Sequence, residues 1–134
     1  MSLIVVDTDV VSFLFRDDAL ADVYSPILEG KQAVISFMSL AELALWPLRS
    51  NWSPARERRL HDYLDENFGV CFPDEEICRL WAQVRHQGFA KGHPVSPSDA
   101  WIAATARYLD APLVTHNARH FQRLDRLEIV TAAE

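Results

Sequence analysis

Four consecutive apolar residues, Leu3-Ile4-Val5-Val6, stand near the start of the chain and stop at Asp7. A β-branched run with no polar alternation predicts a strand covered on both faces, as in a parallel sheet. Residues 33–37 (AVISF), 70–72, 113–115 and 128–131 form four further short runs that predict strands. Between them, apolar positions recur at the helical period: Ala19, Val23, Ile27 and Leu28; Leu60, Tyr63 and Leu64; Ile77, Leu80, Trp81 and Val84; Ile102, Ala103, Ala106 and Leu109. Strands alternating with amphipathic helices predict the α/β class: a three-layer α/β/α sandwich around a mostly parallel sheet, joined by right-handed crossovers. No repeat, low-complexity tract or linker interrupts the pattern, so residues 1–134 are expected to form one domain.

This architecture places certain polar residues together. Crossover helices start where strands finish, and ligands bind at that edge of an open α/β sheet. Asp7 follows the first strand directly, Ser39 and Glu42 are expected to open the helix after the second, and Asn117 follows the strand at 113–115. Asp99 opens the helix before that strand, so all these groups are predicted to share one edge. Ser39-Leu40-Ala41-Glu42 and Ser96-Pro97-Ser98-Asp99 also fit capping boxes, in which the acid reaches back to the N-cap amide. Capping alone leaves the convergence unexplained, because clustered carboxylates repel one another unless a cation sits between them.

Composition narrows the chemistry. The residues are 49% hydrophobic with four glycines and seven prolines, as expected of a globular chain, and the start lacks the basic region of a secretion signal. Cys71 and Cys78 are the only cysteines and have neither zinc-site spacing nor disulfide density, so a cytoplasmic location is expected. A formal charge of -6 opposes wholesale gripping of nucleic acid, although eleven of the thirteen basic residues are arginine, and Arg49, Arg56, Arg58 and Arg59 cluster. Carboxylates without His or Cys suit a hard divalent ion, Mg²⁺ or alternatively Mn²⁺.

Four segments then become recognisable together: Val5-Val6-Asp7-Thr8-Asp9-Val10, Ser39-Leu40-Ala41-Glu42-Leu43, Ser98-Asp99-Ala100-Trp101-Ile102-Ala103-Ala104-Thr105-Ala106 and Thr115-His116-Asn117-Ala118-Arg119-His120-Phe121. In these the chain resembles PIN domains, specifically the VapC-type toxin ribonucleases of prokaryotic toxin–antitoxin modules. The resemblance implies that Asp7, Glu42 and Asp99 form an acidic metal site shaped by Thr115 and Asn117, with Asp9 as a helper. It also implies an endoribonuclease leaving 5′-phosphate and 3′-hydroxyl ends, a homodimer, and an antitoxin that often places an arginine near the acids. The family commonly carries a fourth acid where this chain has Asn117 or His120, so one tightly bound metal is expected rather than two. The RNA target, transfer or ribosomal, is not legible.

Competing patterns are weaker. Asp7-Thr8-Asp9-Val10-Val11 matches the opening of aspartate-nucleophile phosphatases, but Lys31 and Lys91 are the only lysines and neither precedes an acidic pair. A receiver domain would need a lysine after the fifth strand. His116 and His120 have the spacing of a helical zinc pair without the accompanying glutamate. A PIN-like module that binds RNA or protein without cutting is a further alternative, supported by the missing fourth acid. Trp46, Trp52, Phe13, Phe15 and Met38 are expected mainly in the core, with some surface left for an amphipathic partner.

Overall fold

The computed structural model describes residues 2–133; Met1 and Glu134, the ends of the expected domain, lie outside the described residues. Leu3–Val6 forms the central strand β1, and packed cores on both of its faces explain why its run is apolar throughout. It pairs with β2 (Gln32–Ser36) on one side and β4 (Leu113–Val114) on the other; β3 (Gly69–Cys71) and β5 (Ile129–Val130) form the edges. All four pairings are parallel, giving the order β3-β2-β1-β4-β5. The chain leaves β1 toward β2 and β3, then returns to the opposite side with β4. The C-terminal ends of β1 and β4 therefore flank a topological switch point.

Alternate side chains of β1 supply two cores. Val5 packs with Val84, Ile102, Ala103, Ala106 and Phe121 under α5 (Glu75–Ala90) and α6 (Pro97–Leu109). Ile4 and Val6 face Val10, Val11, Tyr24, Ile35, Leu43, Leu60 and Leu64. These come from α1 (Thr8–Arg16), α2 (Ala19–Leu28), β2, α3 (Phe37–Arg49) and α4 (Pro54–Asn67). Period two along the strand thus separates the layers of the sandwich.

Several local expectations shift. The helix after β2 starts at Phe37, with Ser36 as N-cap accepting the Met38 amide at 3.0 Å, so residues 33–37 are not all strand. Ser39 and Glu42 consequently do not make a capping box: Ser39 is buried inside the first turn and Glu42 lies one turn further on. The third strand begins at Gly69, one residue early, and leaves Phe72 65% exposed. Only residues 113–114 and 129–130 of the two late runs hold strand geometry. Helix α2 turns Ala21 and Tyr24 inward while Val23 is 47% exposed, so its buried face is rotated from the predicted one. Helix α1 lies outside the periodic stretches named above; its valines look strand-like, but Asp7 caps it.

Gly88 of α5 governs how closely the segment after that helix can approach. A Cβ there would lie 2.8 Å from the His93 carbonyl oxygen and 3.0 Å from the Val95 amide nitrogen, both backbone atoms with little freedom to move. Gly88→Ala is expected to destabilise the fold by about 1–3 kcal/mol through overpacking, despite alanine's better helix propensity. Urea unfolding with an unchanged or higher midpoint would show that the segment yields.

Candidate active site

At the switch point, Asp7 directly follows β1; its amide donates to the Val114 carbonyl at 2.9 Å and continues the β1–β4 ladder by one residue. That register puts Asp7 beside Thr115. The Thr115 hydroxyl donates to Asp7 Oδ2 at 2.7 Å, and the Thr8 amide donates to Oδ1 at 2.8 Å as α1 begins. Asp7 is only 6% exposed, and both of these partners are neutral. Burial and the neighbouring Asp9 charge raise its pKa from 3.8 to about 7; the two hydrogen bonds oppose the rise, and Asp99 adds to it.

The remaining groups enter from three helices and the loop after β4. Asp9, in the first turn of α1, accepts the Val10 amide at 2.7 Å, the His116 amide at 3.2 Å and Asn117 Nδ2 at 2.8 Å. Its pKa is also raised by burial, against these backbone bonds and the nearby His116. The Asn117 amide returns to Thr115 Oγ1 at 3.0 Å, stitching the loop after β4 to both aspartates. From α3, Glu42 Oε1 accepts the Thr8 hydroxyl at 2.7 Å, and that hydroxyl lies 2.8 Å from Ser39 Oγ. Asp99 is the third residue of α6: its amide is capped by Ser96 Oγ at 3.2 Å, while its carboxylate pairs with His120 Nδ1 at 3.1 Å. Only the serine half of that capping box is among the hydrogen bonds formed.

Asp7, Asp9, Glu42, Asp99 and Asn117 thus line one cleft of about 410 Å³, which Thr115 supports from behind through Asp7. Arg16, Trp46 and His120 complete its rim. Among the described residues, no three His, Cys, Asp or Glu side chains already converge as a metal cage. The carboxylates are instead held by Thr8, Thr115, Asn117 and His120. Asn117 bonds Asp9, and His120 pairs with Asp99.

Sequence reasoning undervalued Asp9, whose proximity to Asp7 is foreshadowed only by the Asp-Thr-Asp spacing. It missed Thr8, which ties α1 to α3, and Tyr24. The fully buried Tyr24 hydroxyl lies 2.7 Å from His116 Nδ1 and accepts the Ala132 amide at 3.3 Å, so it positions the loop that presents Asn117. Because His116 turns to Tyr24 and the edge of Phe13 while His120 turns to Asp99, the two histidines do not form a zinc pair. Cys71 and Cys78 are free.

The profile of the PIN domain matches residues 4–127. Ribonuclease VapC1 of Haemophilus influenzae is 32% identical over 124 residues, spanning 91% of this chain and 92% of that protein. The VapBC-1 structure from nontypeable Haemophilus influenzae superposes with a TM-score of 0.81 at 29% identity, covering 96% of this chain and 97% of its counterpart. VapBC2 from Rickettsia felis, bound to a DNA fragment from its promoter, superposes with a TM-score of 0.84 at 20% identity over 96% and 98% of the two chains, a likeness of fold. A family profile spanning almost the whole chain and a relative of nearly equal length agree with the five-stranded parallel sheet and its acidic switch point: the chain belongs to the PIN-domain family.

Proposed function

We propose that this chain is a divalent-metal-dependent endoribonuclease, the toxin of a VapBC-type toxin–antitoxin pair. The observation that carries the reading is Asp7: a buried carboxylate with neutral hydrogen-bond partners, pushed to about 7 by burial and by Asp9 at the crevice where α/β proteins bind ligands. A cation is the direct remedy for such a site. The donors are all oxygen, which fits Mg²⁺ or Mn²⁺. Asp7, Asp99 and Glu42 are the proposed ligands, and a single ion is favoured because the fourth carboxylate of the cleft, Asp9, is already engaged by the His116 amide and Asn117. When bound, the ion supplies Lewis acidity toward a phosphodiester oxygen and the attacking water.

The chain's own residues do the positioning. Thr115 and the Thr8 amide fix the Asp7 carboxylate, leaving its remaining lone pairs toward the cleft. Asn117 and the His116 amide fix Asp9 in the same way. Glu42, held by Thr8, either binds the ion or orients the water for in-line attack, which leaves 5′-phosphate and 3′-hydroxyl ends. His120 holds one carboxylate oxygen of Asp99, and the other, Oδ1, is the one left for the ion.

The VapBC complexes among the structural neighbours support an antitoxin partner, and the acidic cleft suits an inserted arginine. Leu48 at 70% exposure and Leu45 at 48% leave an apolar strip on α3 suited to such a partner or to a homodimer. Phe15, Trp46 and Trp52 pack on the core behind it. No described helix is long and apolar enough to cross a membrane, in keeping with the proposed cytoplasmic site of action on transfer or ribosomal RNA.

Sequencing of RNA 5′-phosphate ends after brief expression tests the activity and identifies the substrate together. New ends at a defined position are expected. Their absence with abundant folded protein, while the purified chain still binds RNA, would favour a binding module that has lost catalysis.

A further inference from the structure

Beyond Asp99 and His120 a second cleft of about 380 Å³ opens, walled by His93, Val95, Arg119 and Arg123. It shares Asp99 and His120 with the acidic cleft, so the two adjoin at the Asp99–His120 pair. Their charge is opposite: apart from the shared Asp99, the ionisable side chains of this cleft are histidine and arginine. Arg119 and Arg123 are exposed, and neither belongs to an ion pair among the described residues. Asp125, the nearest acid in sequence, is occupied on one oxygen by Lys91 at 2.9 Å and on the other by Gln87 at 2.7 Å.

The cleft is also built on fixed supports. Phe121 and Leu124 are buried beneath the segment that carries the two arginines, and Lys91 Nζ donates to the Arg123 carbonyl at 2.8 Å. The opposite wall is the 93–95 segment, seated against α5 by Gly88. Two unpaired guanidinium groups on an anchored turn are suited to phosphate oxygens, which they engage in bidentate fashion.

We infer that this cleft holds the phosphodiester backbone of single-stranded RNA flanking the bond cut in the acidic cleft, with Arg119 and Arg123 each contacting a phosphate. The inference rests on the ribonuclease reading and extends it. A chain of net charge -6 with an acidic centre repels a polyanion, so a local pair of cations beside that centre offsets the repulsion where the strand must pass. Unpaired RNA is the form in which bases are presented for recognition.

Binding of a labelled single-stranded RNA, followed by fluorescence anisotropy in EDTA across a salt series, tests the assignment without cleavage. Arg119→Ala with Arg123→Ala is expected to weaken binding about tenfold and to reduce the slope of log K against log salt by about 1.4, at about 0.7 per lost phosphate contact. The double lysine variant should keep the slope, and Arg79→Ala, on α5 and outside both clefts, should change neither quantity. With divalent ion present, the double alanine variant should raise KM several-fold with kcat within about twofold. Unchanged affinity and slope in the double alanine variant would overturn the cleft assignment even if the wild type cuts RNA normally. A wild type that never cuts, yet loses the slope with the two arginines, would keep the cleft and remove the ribonuclease reading.

Discussion

Asp7→Asn is expected to lower RNA cleavage by about a thousandfold or more, equivalent to about 4 kcal/mol of transition-state stabilisation, while the fold persists. The substitution is nearly isosteric. An asparagine carbonyl can still accept the Thr8 amide and so cap α1, and its NH₂ can donate to Thr115 Oγ1, reversing that bond without a void. What it cannot supply is the negative charge that a divalent ion needs at the sheet switch point. Single-turnover cleavage of the mapped RNA, beside a thermal melt of each protein, separates loss of chemistry from loss of fold. Cleavage at the wild-type rate by a folded Asp7→Asn protein would remove Asp7 from the site. Asp99→Asn should have a similar kinetic effect with less influence on stability, because Asp99 has a side-chain exposure of 22% and already faces His120.

The metal-free protein is expected to lose stability, by about 2–4 kcal/mol, as pH rises from about 4 to about 7. Asp7 has a folded pKa of about 7 against an ordinary 3.8, so across this range the folded state holds a proton that the unfolded chain has released. Stability from that proton is complete below the unfolded pKa and gone once pH passes the folded pKa. Asp9, also raised, adds to the same trend. The exposed Asp74 and Asp125 are shifted downward and act in the opposite sense, at more acid pH. Mg²⁺ at pH 8 should restore about 2.7 kcal/mol at a hundredfold excess over its dissociation constant, since it binds only the folded chain. Asp7→Asn should flatten the pH dependence and abolish most of the Mg²⁺ effect. Urea denaturation at pH 5 and pH 8, with EDTA or Mg²⁺, measures all of these; a wild-type profile that does not fall with pH would contradict the charge burial described for Asp7.

Much of this site could be placed from local pattern. The run ending at Asp7, the serine-proline start before Asp99 and the short strand before Asn117 each report their position relative to the sheet, because backbone periodicity and capping are short-range effects. Where local patterns were degenerate the reading slipped. Ser36 and Ser39 are three residues apart and either could cap a helix; the choice follows from the β2–β3 ladder ending at Ser36 opposite Cys71. The rotated face of α2 has a similar origin, since the inward turn of Tyr24 is decided by His116 and the C-terminal segment rather than by apolar spacing.

From sequence alone came the class of fold, the covered central strand and the acids brought to its C-terminal edge, because those depend on hydrophobic period, caps and chain reversal. Tertiary structure alone decided how those acids are held. Thr115 reaches Asp7 across 108 positions, as Asn117 reaches Asp9, and Thr8 meets Glu42 across 34. Such contacts arise only when the order β2-β1-β4 sets distant segments side by side. The same closure buries Asp7 and makes its charge costly, and it sets an acidic cleft beside an arginine-lined one, a property of the folded surface that no local window of residues contains.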